Sequence, residues 1–159
     1  MEINTTRFGT VDIDDSMIIT FDDGIPGFED QKKFFFFETN QSKPLVWMQS
    51  VTHAHIALPV INPFLVCADY TLDIRDNEVE EMGIKTESDI MIWVVTIVPT
   101  DITKITANMT APIIVNVKTS QGKQLVTDIK EYESRLPIFE QLVKLLEGAP
   151  SDAGTVEKG

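Results

Sequence analysis

Ile90-Met91-Ile92-Trp93-Val94-Val95 is the stretch on which the fold depends. It is rich in β-branched and aromatic residues and apolar on both faces, so it predicts a central β-strand. Working outward, further strands are predicted at Glu2–Arg7, Val11–Asp14, Met17–Phe21, Phe34–Glu38, Leu45–Gln49 and Ile56–Ile61. The series continues with Ile102–Ala107, Pro112–Lys118 and Lys123–Asp128 around the central Ile90–Val98. Met17, Ile19 and Phe21 alternate on one face. Ile113, Val115 and Val117 do the same opposite Asn116 and Lys118, the pattern of half-buried strands.

Turn residues punctuate these runs. Asp22-Asp23-Gly24 and Ile25-Pro26-Gly27 give two consecutive turn signals. Ser120-Gln121-Gly122 reads as a hairpin loop, with Gly122 taking a positive φ. Many short strands with turns between them indicate an antiparallel barrel or sandwich. Two helices are predicted. A short one spans about Asp76 to Met82, with Asp76 as N-cap and Gly83 as its end. A second starts near Pro137, carries Ile138, Leu142 and Leu145 beside Phe139, Val143 and Leu146, and stops at Gly148. Residues 1–146 thus read as one mainly β domain, and residues 147–159 as a disordered tail.

Composition narrows the function. The 159 residues are 43% apolar and 24% charged, the make-up of a globular domain. Their 13 Lys and Arg face 25 Asp and Glu, a net charge of −12. That balance opposes direct contact with nucleic acid or an anionic membrane and favours basic partners. No leader or membrane span is visible, so a cytoplasmic location is expected. The single cysteine, Cys67, lies in the apolar run Phe64-Leu65-Val66-Cys67 and reads as a small hydrophobe.

Catalytic patterns do not emerge. His53-x-His55 puts two imidazoles on one strand face, but a zinc site needs a third ligand and no motif supplies one. No phosphate loop, nucleophile elbow or paired acid and base is apparent. Neither a cofactor nor a metal is expected, and the chain is read as a non-enzyme. The alternative, a hydrolase using two acids at a barrel mouth, has no positive signal behind it.

Aromatics and acids remain as binding features. In Phe34-Phe35-Phe36-Phe37, two rings fall on each strand face. One pair is expected in the core and the other under a loop. The acids cluster. Residues 8–31 hold seven acids, Asp22 and Asp23 among them, and no Lys or Arg. Residues 69–89 hold eight, against Arg75 and Lys85 alone. On the short helix, Asp76 projects with Glu80 and Glu78 with Glu81. Like charges placed together weaken a helix slightly, so solubility is a poor reason for them.

The ordered motifs resemble the flagellar assembly factor FliW family of bacteria. The resemblance is carried by Thr6-Arg7-Phe8-Gly9, by Ile18-Ile19-Thr20-Phe21 running into Gly24-Ile25-Pro26-Gly27-Phe28-Glu29, and by Trp47-Met48-Gln49-Ser50. Asn62-Pro63, Asp69-Tyr70 and Thr106 through Asn116 follow, then Gln124 and Tyr132. Asp22 departs from the pattern, standing where the family often has proline. The resemblance implies an antiparallel β-barrel-like domain with two alternative protein partners. One is flagellin. The other is CsrA, a dimeric RNA-binding repressor of flagellin translation, which family members antagonise. On that footing Asp22, Asp23, Asp73, Asp76, Glu78, Glu80 and Glu81 are the expected contacts for CsrA. Candidate apolar contacts for flagellin are Phe28 in the turn loop, part of the Phe34–Phe37 run, or the helix from Pro137, and the free chain is expected to be a monomer.

Overall fold

In the computed structural model the described residues are 1–72, 74–126 and 132–153, the last six by backbone path alone. Eleven strands occur among them. They are β1 (Glu2–Thr5), β2 (Gly9–Asp12), β3 (Ile19–Thr20), β4 (Lys33–Phe37), β5 (Val46–Ser50), β6 (Ala57–Ile61) and β7 (Ile90–Ile97). The remainder are β8 (Thr106–Ala107), β9 (Ile113–Asn116), β10 (Gln121–Gln124) and β11 (Leu136–Pro137). Helix α1 spans Asp76–Glu81 and α2 spans Phe139–Ala153.

The long apolar run is central, as its pattern predicts: β7 pairs with β6, β8 and β9. From β7 the ladder passes through β6, β5, β4, β3, β10 and β9, and β9 returns to β7. Seven strands therefore close a barrel, which leaves far less open sheet edge than a sandwich would. One pairing corrects the purely antiparallel expectation. β3 and β10 run parallel, joined only at Thr20 and Gln121.

The phenylalanine run divides as its alternation requires. Phe34 and Phe36 point into the barrel with Phe21, Met48, Val60 and Ile113. Phe35 and Phe37 point outward, where the β1–β2 hairpin covers them with Ile3 and Ile13. Phe34 and Phe35 are fully buried, each worth about 1.5–3 kcal/mol in apolar burial. The hairpin is fastened by Phe8 against Phe37 at 4.6 Å and by the Arg7 guanidinium 4.1 Å above the Trp47 ring. A second core lies between the barrel and α2, built from Ile61, Val94, Ile105, Met109, Ile138 and Leu142.

Several local expectations change. The β9–β10 loop is Val117–Ser120, and the positive φ belongs to Ser120 at 56°. Gly122 lies inside β10 for a different reason: a Cβ there would sit 2.5 Å from the Phe21 ring, so glycine is what lets the strand close over that ring. Asp76 is the first helical residue of α1 rather than its cap, which is Arg75. Pro137 belongs to β11, paired with Thr106, and the Ile138 N–H donates to the Ile105 carbonyl. The helix therefore starts at Phe139. It also continues past Gly148 to Ala153. Glycine in a helix costs only about 1 kcal/mol, which permits an end without compelling one.

Candidate functional site

The acidic segments converge on a residue that the sequence did not single out. Gly122 faces the barrel interior, so strand alternation turns its neighbour Lys123 outward. Helix α1 lies beside it. The helix ends in a left-handed Gly83 (φ 66°), with Gly83 N–H donating to the Glu80 carbonyl and Ile84 N–H to that of Val79. This cap fixes the end of α1 above β10, and Met82 is buried beneath it.

Lys123 Nζ lies 2.7 Å from Glu78 Oε2, 3.6 Å from Glu81 Oε2 and 4.0 Å from Asp23 Oδ2. The Glu78 hydrogen bond, then the charges of Glu78, Glu81 and Asp23, push the ammonium pKa up from its ordinary value. Lys123 stays charged and holds three carboxylates from two distant segments together. Three anions around one cation still leave an excess of negative charge. The Glu78 side chain is only 18% exposed, against 64% for Glu81 and 79% for Asp23. Glu78 is thus the firmest of the three contacts, since exposed pairs are worth only about 0.2–1 kcal/mol.

The other expected residues fall around this cluster. Asp22 is exposed in the same turn as Asp23, and its carbonyl accepts from Lys32 Nζ at 2.9 Å. Asp76 and Glu80 are exposed on α1, away from the pairs made by Glu78 and Glu81. Asp73 lies outside the described residues. Phe28 is half-buried and packs against the barrel core. Nothing in a lone strand lysine signals a hub for acids 40 to 100 positions away, which is why Lys123 was missed.

Beside the cluster runs a groove of about 870 Å³. Phe64, Tyr70, Val79 and Ile84 line it together with Ile90 to Trp93 of β7. Its frame is fixed by polar contacts. Tyr70 Oη donates to the Met109 carbonyl at 2.8 Å, and burial, with Tyr132 beside it, pushes its pKa up to about 12. Tyr132 Oη accepts from the Thr71 N–H at 2.6 Å. Asp89, at the foot of β7, accepts from the Thr86 and Lys85 N–H groups at 3.1 Å and lies 3.2 Å from Lys118 Nζ. Those N–H groups, Thr86 first, and then Lys118 hold its carboxyl below the ordinary range.

Burial raises the pKa of the Cys67 thiol, and its Sγ donates to Asp69 Oδ1 at 3.3 Å, an environment for a quiet thiol rather than a nucleophile. The His53 and His55 rings lie 6.0 Å apart. Among the described residues no three His, Cys, Asp or Glu side chains are grouped to hold a metal. None of the described helices is long and apolar enough to cross a membrane.

Fold and site together define a small closed β-barrel that carries an acidic face organised around one lysine. Known proteins place that class. The family described as FliW protein matches residues 2–138. The flagellar assembly factor FliW of Alkaliphilus metalliredigens is 36% identical over 160 residues, covering 100% of this chain and 99% of its own. That of Thermoanaerobacter pseudethanolicus is 37% identical over 143 residues, covering 89% and 95%. A solved structure titled as the crystal structure of the flagellar assembly factor FliW superposes with a TM-score of 0.81 at 31% identity, covering 87% of this chain and 97% of that one. This chain belongs to the FliW family of flagellar assembly factors.

Proposed function

We propose that the chain is a cytoplasmic protein-binding regulator of flagellar assembly that performs no catalysis. It binds the RNA-binding repressor CsrA and antagonises it, and it binds flagellin before secretion. Capture by flagellin frees CsrA to repress flagellin synthesis, and secretion of flagellin reverses this. The observation that carries the reading is the convergence of Asp23, Glu78 and Glu81 on Lys123, with Asp22, Asp76 and Glu80 exposed beside them.

The physics is simple. A basic RNA-binding surface docked on this face gains attraction. Incoming phosphates meet like charge within a screening length of about 8 Å. The same carboxylates thus hold the regulator and repel its RNA. The flagellin contact is the more apolar one, because the amphipathic helices of flagellin termini present apolar stripes. The hydrolase alternative gains no support from a family of assembly factors.

The test is RNA release. The protein is titrated into a CsrA–RNA complex, and freed RNA is followed by fluorescence anisotropy. Asp76→Lys with Glu80→Lys is the cleanest variant, because it leaves the Lys123 pairs intact. It should release RNA at least about tenfold less efficiently, and adding flagellin to the wild type should cancel release. Undiminished release by the variant would remove the acidic face from the mechanism.

A further inference from the structure

Besides the thin seam between β3 and β10, the barrel has, among the described residues, an open edge along half of its central strand. Asp89 O accepts from Val117 N–H and Val95 O from Asn108 N–H, each at 2.9 Å. Backbone groups alternate in direction along a strand, so residues 89, 91, 93 and 95 direct theirs toward the β8–β9 side. The even-numbered residues direct theirs to the opposite edge. On that edge the β6 ladder pairs with β7 at Val94 and Val95, and the Thr96 hydroxyl donates to the Pro59 carbonyl just above. After Ile61 the chain turns away: Asn62 Oδ1 accepts from the Phe64 N–H at 2.9 Å and starts a 3-10 turn, Pro63–Leu65. Among the described residues, no strand pairs with the outer edge of Ile90 and Ile92.

That open edge lines the 870 Å³ groove. We infer that the groove accepts a short extended segment of a partner protein, which adds to β7 as a strand and carries Lys or Arg between its apolar residues. The backbone requirement comes from the edge: the N–H and C=O groups of Ile90 and Ile92 are aligned for a ladder. An α-helix satisfies its own backbone. Laid here, it would bury those groups unpaired, at about 1–3 kcal/mol each. The apolar requirement comes from Phe64, Tyr70, Val79 and Ile84, which line the groove with the edge. The basic requirement comes from the segment that carries Tyr70, Val79 and Ile84. Residues 69–89 carry eight acids and two cations; Glu87 and Lys85 both line the groove, so the attraction for a basic segment comes from the acidic surround rather than from the groove lining. This site goes beyond the regulatory reading and does not depend on either partner named there.

The experiment uses the full chain and three synthetic probes of equal length. One alternates Lys with Ile and Val. The second is the same peptide N-methylated at alternate residues, in both phases. The third rearranges the same residues to helical spacing. Calorimetry should find the first binding, with at least one N-methylated phase weaker by about tenfold or more, the loss of one or two strand hydrogen bonds. Amide exchange should slow at Ile90 and Ile92. Ile92→Pro removes an edge N–H while sparing the ladder to β9, and it should reduce binding similarly; should it fail to fold, the N-methylated pair still decides. No binding, binding indifferent to N-methylation in both phases, or tighter binding of the helical arrangement would each overturn the inference. RNA release is measured separately, so a protein that binds the peptide but releases no RNA refutes the regulatory reading alone, and the converse refutes only this one.

Discussion

The two sides of the barrel are built on opposite terms. Around β3, β4 and β10, Phe21 stands edge-on to Phe34 at 5.6 Å, and β10 closes over them where Gly122 leaves no side chain in the way. Around the lower half of β7, a chain excursion from Asn62 to Asp89 replaces the neighbouring strand, and a groove takes the place of a ladder. The first side has no freedom left and carries stability. The second keeps exposed charged side chains and an open strand edge, features that stability alone does not select. In this small barrel, the part that is free to bind is the part that packing has not claimed.

Breaking the tight side should produce the largest effects. Phe34→Ala should cost about 3–5 kcal/mol, because a fully buried ring leaves a cavity its neighbours cannot fill. Denaturant unfolding measures it, and a loss under 1 kcal/mol would mean that side is not the stabilising one. Gly122→Ala should cost about 1–3 kcal/mol, since its Cβ has to displace the Phe21 ring or the strand.

The open side answers to charge instead. Folding depresses the Asp89 carboxyl from its ordinary value near 3.8, so its contribution is complete above that value and lost as pH falls through the folded one. Asp89→Asn should therefore lie below wild type in thermal midpoint at pH 7, with the gap narrowing as pH drops below about 4. A gap that stays constant with pH would show that the ionised carboxylate is not what anchors the foot of β7. The smallest effect belongs to Asp76→Lys with Glu80→Lys. Away from the core and the Lys123 pairs, it should change stability by no more than about 0.5 kcal/mol. A larger loss would mean that these acids support the fold as well as a partner.

The same contrast explains what could be read from the sequence. The tight side was legible in part because period-two alternation is local: the phenylalanine run announced its two faces, as did Ile19 with Phe21 and Ile113 with Val115. The pattern failed at the ends: Met17 and Val117 lie outside the strands and are exposed, and Asn116 is buried, so β9 is covered on both faces rather than half-buried. The even spread of apolar residues through Ile90–Val95 announced a centre. The seam was not legible, because a parallel pair between Thr20 and Gln121 leaves no trace in either segment. Pro137 misled because a proline at the end of a short edge strand looks the same as one at a helix start. The clustering of acids was visible in the sequence. Their common point was not, because Lys123 acquires its role only when α1 is capped over β10.

The seam also dictates the order in which the molecule can be completed. Thr20 and Gln121 are 101 positions apart and are the one ladder pair between β3 and β10, with the Thr20 N–H donating to the Ser120 carbonyl beside it. At about 5–20 residues added per second, several seconds separate the emergence of the first wall from that of the last. Throughout that interval the stretch from β3 to β6 lacks Ile113, Val115 and the β10 strand, which complete the cover over Phe21 and Phe34. The growing chain is then at its stickiest, and Lys32 and Lys33, beside the aromatic run, stand where charge best discourages its association with another copy.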